Sequence, residues 1–256
     1  MRRAGRIVHA ALDAAEAACV PGATALDVDA AANSVIIQSG GTSLFKGYAG
    51  ADAGQSGADG RPGEGFPGHV CVSVNEAVVH GVPGSRVLQD GDVVTVDCGV
   101  RLDGWCGDAA RTIRVGRVPP DADAMIRCAQ RVLAAAIEMM RPGRAWSEIG
   151  RRMQAEASEP GFGVVQEYVG HGIGRSLHEP PQTPAFSSAS FERERDFTLR
   201  PGMVLAVEPM LTLGEPQTRV LDDGWSVVTV DGRLACHVEH TVAVTRNGAD
   251  VLTDGR

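Results

Sequence analysis

Apolar residues recur at helical spacing in four stretches of the chain. From about residue 4 to 19, Ile7, Val8, Ala11, Leu12 and Ala15 share one face, and Pro21-Gly22 ends the pattern. A second helix is expected from about Leu26 to Gln38, with Val28, Ala31, Ala32, Val35 and Ile36 apolar, closed by Gly40-Gly41. The longest stripe runs from Asp121 to Met140 through Met125, Ile126, Ala129, Val132, Leu133, Ala136 and Ile137, and Pro142-Gly143 stops it. Trp146–Ala157 gives a fourth helix. Other segments read as strands: Val70–Val74, Val93–Cys98, Ala110–Val115 after a tight turn at Asp103-Gly104, Val164–Val169, Met203–Val207, Val220–Val230 and Ala235–Val244. Val93–Cys98 is nearly continuous in β-branched residues, which suits burial on both faces. Gly50–Gly68 is rich in Gly, Ala, Asp and Ser and reads as a solvated loop. Both halves therefore open with two helices and continue into strands. That order predicts one pseudo-symmetric α+β domain over residues 1–256.

Composition narrows the field. The chain has 256 residues, 43% of them hydrophobic, which is enough for one well-buried domain. Its formal net charge is −8, and Lys46 is the only lysine. The basic patch of a nucleic-acid binder is missing, so no direct nucleic-acid partner is expected. No run of about eighteen apolar residues is present to cross a membrane. Asp13 and Glu16 interrupt the Ala-rich N-terminal stretch, which favours an amphipathic helix over a signal peptide. The six cysteines form no C-x-x-C pair, which fits a reducing, cytoplasmic setting.

Three acids sit awkwardly among these strands. Asp97 lies inside VVTVDC, Glu208 follows Met203–Val207, and Glu239 follows Val238. A carboxylate buried in an apolar strand is costly unless a cation meets it. No lysine or arginine stands locally beside each one. Two divalent metal ions would serve all three at once, because carboxylates chelate and bridge. Asp108 in WCGDAART would add a fourth oxygen ligand and His171 in GHGIG a nitrogen ligand. Such a donor set suits Mn, Fe, Co or Zn better than Cu or Ca. Taken singly, Asp97 or Glu239 reads as a turn or edge residue, Asp108 as a turn residue, and His171 as a hydrogen-bonded core or surface group. Taken jointly, that account leaves several buried acids unpaired on separate strands.

The ordered motifs NEAVVHGVP, VDCG, GDAART, YVGHGIGRSLHEPP, VEPM, DGWSVVT and VEHTVAV resemble the type I methionine aminopeptidases of metallopeptidase family M24. Each tetrapeptide alone is weak; the set in this order covers nearly the whole chain. The short spacing between His171 and Glu208 excludes the insertion of type II enzymes. The resemblance implies the pita-bread fold, with a pseudo-two-fold axis and antiparallel sheet flanked by helices. It implies a dinuclear centre of Asp97, Asp108, His171, Glu208 and Glu239, with Asp108 and Glu239 bridging. Glu208 would act as general base on a water. His178 would donate to the scissile carbonyl, and His80 would contact the scissile amide. Without the resemblance, His80 reads as a turn residue and His178 as part of a surface loop. Candidates for the methionine pocket are Tyr48, Phe66, Cys71, Leu177 and Trp225, with His80 at the edge; Trp225 also reads as a plain core aromatic. The activity implied is removal of the initiator methionine from nascent polypeptide N-termini, near the ribosome, by a monomer that prefers a small second residue. Four features depart from the family pattern. HEPP stands where HEEP is usual, Leu177 where an aromatic is frequent, and His237 where glutamine is common; Ala51–Gly65 lengthens the loop after Tyr48. By strand alternation His237 shares a face with Glu239, as an added ligand, a partner of the ligands, or a hydrogen-bonding spacer.

Overall fold

Each of the four expected helices is present, and each pair buries its apolar stripe against its own strands. The computed structural model describes residues 1–49 and 65–256. Helix α1 (Arg2–Ala18) turns Ile7, Val8, Ala11, Leu12 and Ala15 inward. Helix α2 (Ala25–Gln38) starts on a capping box: Asp27 N donates to the Thr24 hydroxyl, and Thr24 N donates to the Asp27 carboxylate. Helix α3 (Pro120–Met139) opens with proline and carries Asp121 and Asp123 in its first turn, where negative charge suits the helix dipole. Helix α4 (Trp146–Ser158) follows. A short fifth helix, α5 (Ala189–Glu194), was not expected from the pattern. It buries only Phe191, too little to show a period.

The strands of the first half are β1 (Thr42–Ser43), β2 (Cys71–Val74), β3 (Ala77–Val79), β4 (Val93–Leu102) and β5 (Trp105–Arg114). Those of the second half are β6 (Gly163–Val164), β7 (Gly170–Gly172), β8 (Glu179–Thr183), β9 (Val204–Val207), β10 (Met210–Thr212), β11 (Thr218–Val220), β12 (Val227–Thr229), β13 (Ala235–His237), β14 (His240–Val244) and β15 (Ala249–Val251). Among the described residues they form four antiparallel sheets. In one, β1, β2 and β5 gather about β4; the others run β13-β10-β6, β11-β12-β3 and β15-β14-β9-β7-β8.

Several expected strands are longer or more broken than their sequence suggested. The segments Val93–Cys98 and Ala110–Val115 belong to one hairpin of ten-residue strands. Asp103 and Gly104 both adopt positive φ, 51° and 76°, the geometry of a two-residue hairpin turn, which zips residues on either side into the ladder. Val164–Val169 holds strand only at its start. Val220–Val230 is divided between β11 and β12, because Asp222-Asp223-Gly224 turns the chain back. Ala235–Val244 is interrupted at Val238-Glu239. The loop segment Ala51–Gly65 lies, but for Gly65, outside the described residues.

Two apolar clusters fill the halves. Helices α1 and α2 pack on β2, β4 and β5 through Val8, Leu12, Val28, Ile36, Val72, Val94 and Val96. Helices α3 and α4 pack on β9, β10, β13 and β14 through Met125, Ile126, Trp146, Ile149, Leu205, Leu211 and Val242. The halves meet along a polar seam. Thr112 Oγ1 donates to the His237 carbonyl at 2.7 Å and accepts from His237 N at 3.1 Å. Glu239 N donates to the Ala110 carbonyl at 3.0 Å. Thr241 Oγ1 donates to the Asp108 carbonyl at 2.7 Å and accepts from Asp108 N at 3.0 Å. Two threonine hydroxyls thus extend an antiparallel register between β5 and the β13–β14 segment.

Candidate metal centre

The seam brings acids from both halves to one place. On the first hairpin Asp97 lies opposite Ala110, and Asp108 lies opposite Gly99. The two aspartates are therefore diagonal neighbours on one face. Gly99 makes room for them: a Cβ there would stand 2.8 Å from Phe45 Cε1 and 3.3 Å from Asp108 Oδ1. In the second half β9 pairs with β14 and β10 with β13, leaving Glu208-Pro209 across from Val238-Glu239. The glutamates occupy these facing breaks, where neither is held by the ladder and both side chains turn to the seam.

The electrostatics of this cluster favour a cation. Asp108 and Glu239 are almost fully buried, at 3% and 2% exposure. Asp97 Oδ1, Asp108 Oδ1 and Glu239 Oε1 are buried without a hydrogen-bond partner among the described residues. Burial, then their mutual repulsion, pushes Asp108 and Glu239 well above the ordinary carboxylate range. Burial raises Asp97 to about 7 against the pull of His237. Burial acts on Glu208 too, but His237 and His171 hold it below its usual value. His171 Nδ1 donates to the Gly172 carbonyl at 2.9 Å, which turns Nε2 towards Glu208 Oε1, 3.6 Å away. That separation is longer than a direct N–H···O bond and suits two donors facing one ion. Ligand atoms of Asp108, His171 and Glu239 fall within 4.8 Å of one another, as do those of Glu208, His237 and Glu239. Orphaned oxygens, raised acids and an imidazole nitrogen turned towards them all fit divalent metal.

The cluster forms the floor of a cavity of about 700 Å³. All the residues singled out in the sequence line it: Tyr48, Phe66, Cys71, His80, Asp97, Asp108, His171, Leu177, His178, Glu208, Trp225, His237 and Glu239. His178 lies edge-on to His171, ring centroids 4.4 Å apart, and its Nδ1 is 2.8 Å from the Tyr48 hydroxyl. Burial and the neighbouring His171 lower its pKa to about 4, so its ring is neutral near pH 7. His80 sits at a positive φ of 57°, a conformation uncommon for a side chain of its size. Its ring meets Tyr168 edge-on, and burial lowers its pKa. Phe66 meets Trp225 edge-on at 5.4 Å, forming an apolar wall with Phe45 and Leu177. Burial and nearby acids keep the Cys71 thiol protonated.

Sequence reasoning missed Phe45, Tyr168, Glu179 and Gln182 in this lining. Tyr168 directly precedes Val169-Gly170-His171, and adjacency to that motif was the available signal. Phe45 reaches the site only by nesting over Gly99, which no local pattern shows. Glu179 accepts hydrogen bonds from Arg175 N and Ser176 N, both at 2.9 Å, and so closes the loop that carries Leu177 and His178.

Residues 1–246 match Metallopeptidase family M24. The chain is 40% identical over 253 residues to methionine aminopeptidase 1 of Bacillus subtilis, covering 99% of this chain and 94% of that protein. It is 42% identical over 262 residues to methionine aminopeptidase 1 of Mycobacterium tuberculosis, covering 100% and 91%. Its structure superposes on the methionine aminopeptidase of Thermotoga maritima with a TM-score of 0.89 at 38% identity, covering 99% and 94%. A prolidase from Pyrococcus horikoshii shares the two-halved fold, with a TM-score of 0.72 at 20% identity, over 100% of this chain and 61% of that one.

Proposed function

Because this chain belongs to metallopeptidase family M24 and, within it, to the methionine aminopeptidases, we propose the following assignment of its site. The chain is a metallo-aminopeptidase of pita-bread fold that removes the initiator methionine from nascent N-termini, with a small second residue preferred. Asp97, Asp108, His171, Glu208 and Glu239 would hold two divalent cations of the Co, Mn, Fe or Zn group. The observation that carries this reading is the convergence of four acids, two on strands and two at strand breaks, three of them with orphaned buried oxygens, beside one imidazole nitrogen. When bound, such ions polarise a carbonyl and acidify water.

The side chains do the rest. Glu208, held below the usual carboxylate range, takes the proton of the attacking water and passes it to the departing amine. Donation from the Tyr48 hydroxyl to His178 Nδ1 leaves the proton on Nε2, which then stabilises the oxygen of the tetrahedral intermediate. His80, on the opposite wall beside Tyr168, contacts the scissile amide. Tyr48, Phe66, Cys71, Leu177 and Trp225 surround the methionine side chain. Aromatic edges favour its thioether, and the protonated Cys71 adds no charge. A free α-amine is the substrate group suited to the acidic floor, so internal peptide bonds are refused. Among the described residues no helix is long and apolar enough to cross a membrane. Action near the ribosome in the cytoplasm, as a monomer, completes the proposal.

Metal-loaded protein should release methionine from Met-Ala-Ser. It should leave N-acetyl-Met-Ala-Ser intact and cut Xaa-Pro peptides poorly. Faster cleavage of the Xaa-Pro series would place the chain with the prolidases instead, and release from the acetylated peptide would remove the role given to the free amine.

A further inference from the structure

The cavity floor holds one more nitrogen donor than the five proposed ligands account for. His237 is 1% exposed, and neither ring nitrogen has a hydrogen-bond partner among the described residues. A polar ring left bare in a protein interior calls for a specific cause. Its position is fixed from behind. Thr112 Oγ1 grips both the N–H and the carbonyl of residue 237, and Thr95 Oγ1 backs that hydroxyl at 2.8 Å. The backbone that presents the ring cannot retreat without opening the seam between the halves.

From that fixed backbone Nε2 reaches 3.5 Å from Glu208 Oε2 and 3.9 Å from Glu239 Oε2. The other oxygen of Glu208 faces His171 Nε2 at 3.6 Å. One carboxylate therefore stands between two imidazole nitrogens at nearly equal distance. These separations exceed the roughly 2.7–3.2 Å of an N–H···O bond. They approach the spacing of two donors on one ion, where bonds of about 2.0–2.2 Å set neighbouring ligand atoms roughly 3–3.5 Å apart. Donor atoms of Glu208, His237 and Glu239 also lie within 4.8 Å of one another.

We propose that His237 is a sixth metal-binding residue, giving the ion beside Glu208 and Glu239 a second imidazole nitrogen. This rests on the function proposed above and deepens it. A nitrogen donor in place of an oxygen donor or a water moves the site's preference from Mn towards Co or Zn.

The test uses the metal-free full chain titrated with Co(II) and followed by visible absorption and by proton NMR in water. Each cobalt-bound imidazole that keeps a buried ring N–H gives one hyperfine-shifted, exchangeable resonance. Two such resonances are expected in the wild type. His171→Gln should remove one and His237→Gln the other. His237→Gln should also weaken the cobalt site beside Glu208 and Glu239 by roughly tenfold or more and narrow its selectivity for Co over Mn. A single resonance in the wild type, absent only in His171→Gln, overturns the role of His237 and leaves the aminopeptidase reading standing. That outcome needs no variant of His237 to fold. Wild-type protein that binds no cobalt overturns both.

Discussion

The two halves contribute acids to the same floor by different structural means. Asp97 and Asp108 sit within an unbroken hairpin, Asp97 held by ladder partners on both sides and Asp108 by β4 on one side and the Thr241 hydroxyl on the other. Glu208 and Glu239 sit where the strands break, between β9 and β10 and between β13 and β14. A short side chain on a continuous strand and a longer one at a break reach the same point. The difference suggests a division of labour. The hairpin fixes the position of the site, and the breaks give carboxylates the freedom to close around it. If so, damage on the hairpin should act through lost placement, and damage at the seam through lost docking.

The largest effect is expected from Asp108→Ala. Asp108 lies at the centre of the hairpin, across from Gly99, and is tied to Thr241 on the other half. Its loss should remove bound metal and abolish methionine release. Elemental analysis with a peptide assay checks this. A metal-replete, fully active variant would show that the hairpin does not anchor the centre.

That contrast also marks what the sequence could and could not tell. Asp97 was legible because a carboxylate in VVTVDC breaks an apolar run. The helices were legible because each carries a single stripe. Asp108 was harder to place. With strand expected only from Ala110, it read as a turn residue, and only the Asp103-Gly104 turn, folding residues 105–109 into the ladder, puts it on a strand. Glu208 and Glu239 were read as acids within or after single strands, whereas both stand at breaks. Those breaks arise because each chain leaves one sheet for another there, a tertiary event with no local signature. The burial of His237 and the threonine stitches depend on the packing of one half on the other, so periodicity could not show them.

Next in size is His178→Ala. Its side chain is presented by a loop closed through Glu179, outside both the hairpin and the glutamate breaks. Turnover should fall about 100- to 1000-fold, the range for removing one oxyanion donor, while metal content stays unchanged. Turnover within a fewfold of wild type would assign the carbonyl contact to another group. A parallel loss of metal would mean the loop supports the floor, and the comparison would need a third region.

A smaller and more diagnostic effect concerns pH. Asp97 has a folded-state pKa of about 7, above its ordinary 3.8, and Asp108 and Glu239 are raised as well. At these three acids the folded, metal-free protein binds more protons than the unfolded chain; His80, His178 and His240, lowered by burial, work the other way, but only below about 6.5. The acids' share of stability is fully present below about 4 and is lost as pH rises through about 7, by at most roughly 1.4 kcal/mol per pH unit for each acid. Thermal unfolding of chelator-treated protein at pH 5 and pH 8 should give the lower Tm at pH 8, and divalent metal should lift the pH 8 value most. A metal-free Tm that holds steady or climbs over that interval would mean that the acids from the two halves are not forced together.

The smallest expected effect separates docking from placement most cleanly. Thr241→Val keeps the shape of a side chain that is fully buried but leaves the Asp108 N–H and carbonyl without the hydroxyl that serves both. The cost should be about 1–3 kcal/mol, read from urea unfolding. Thr183→Val is the matched control. Its hydroxyl is equally buried and donates to the Ala206 carbonyl at 2.9 Å, but that bond lies wholly within the second half. Both variants should lose stability. Only Thr241→Val should also loosen metal binding, because it alone weakens the hold of the segment around Glu239 on the hairpin. Equal metal affinity in the two variants would mean that the hairpin holds Asp108 in place without help from the seam, and the hydroxyl bridge would then serve stability alone.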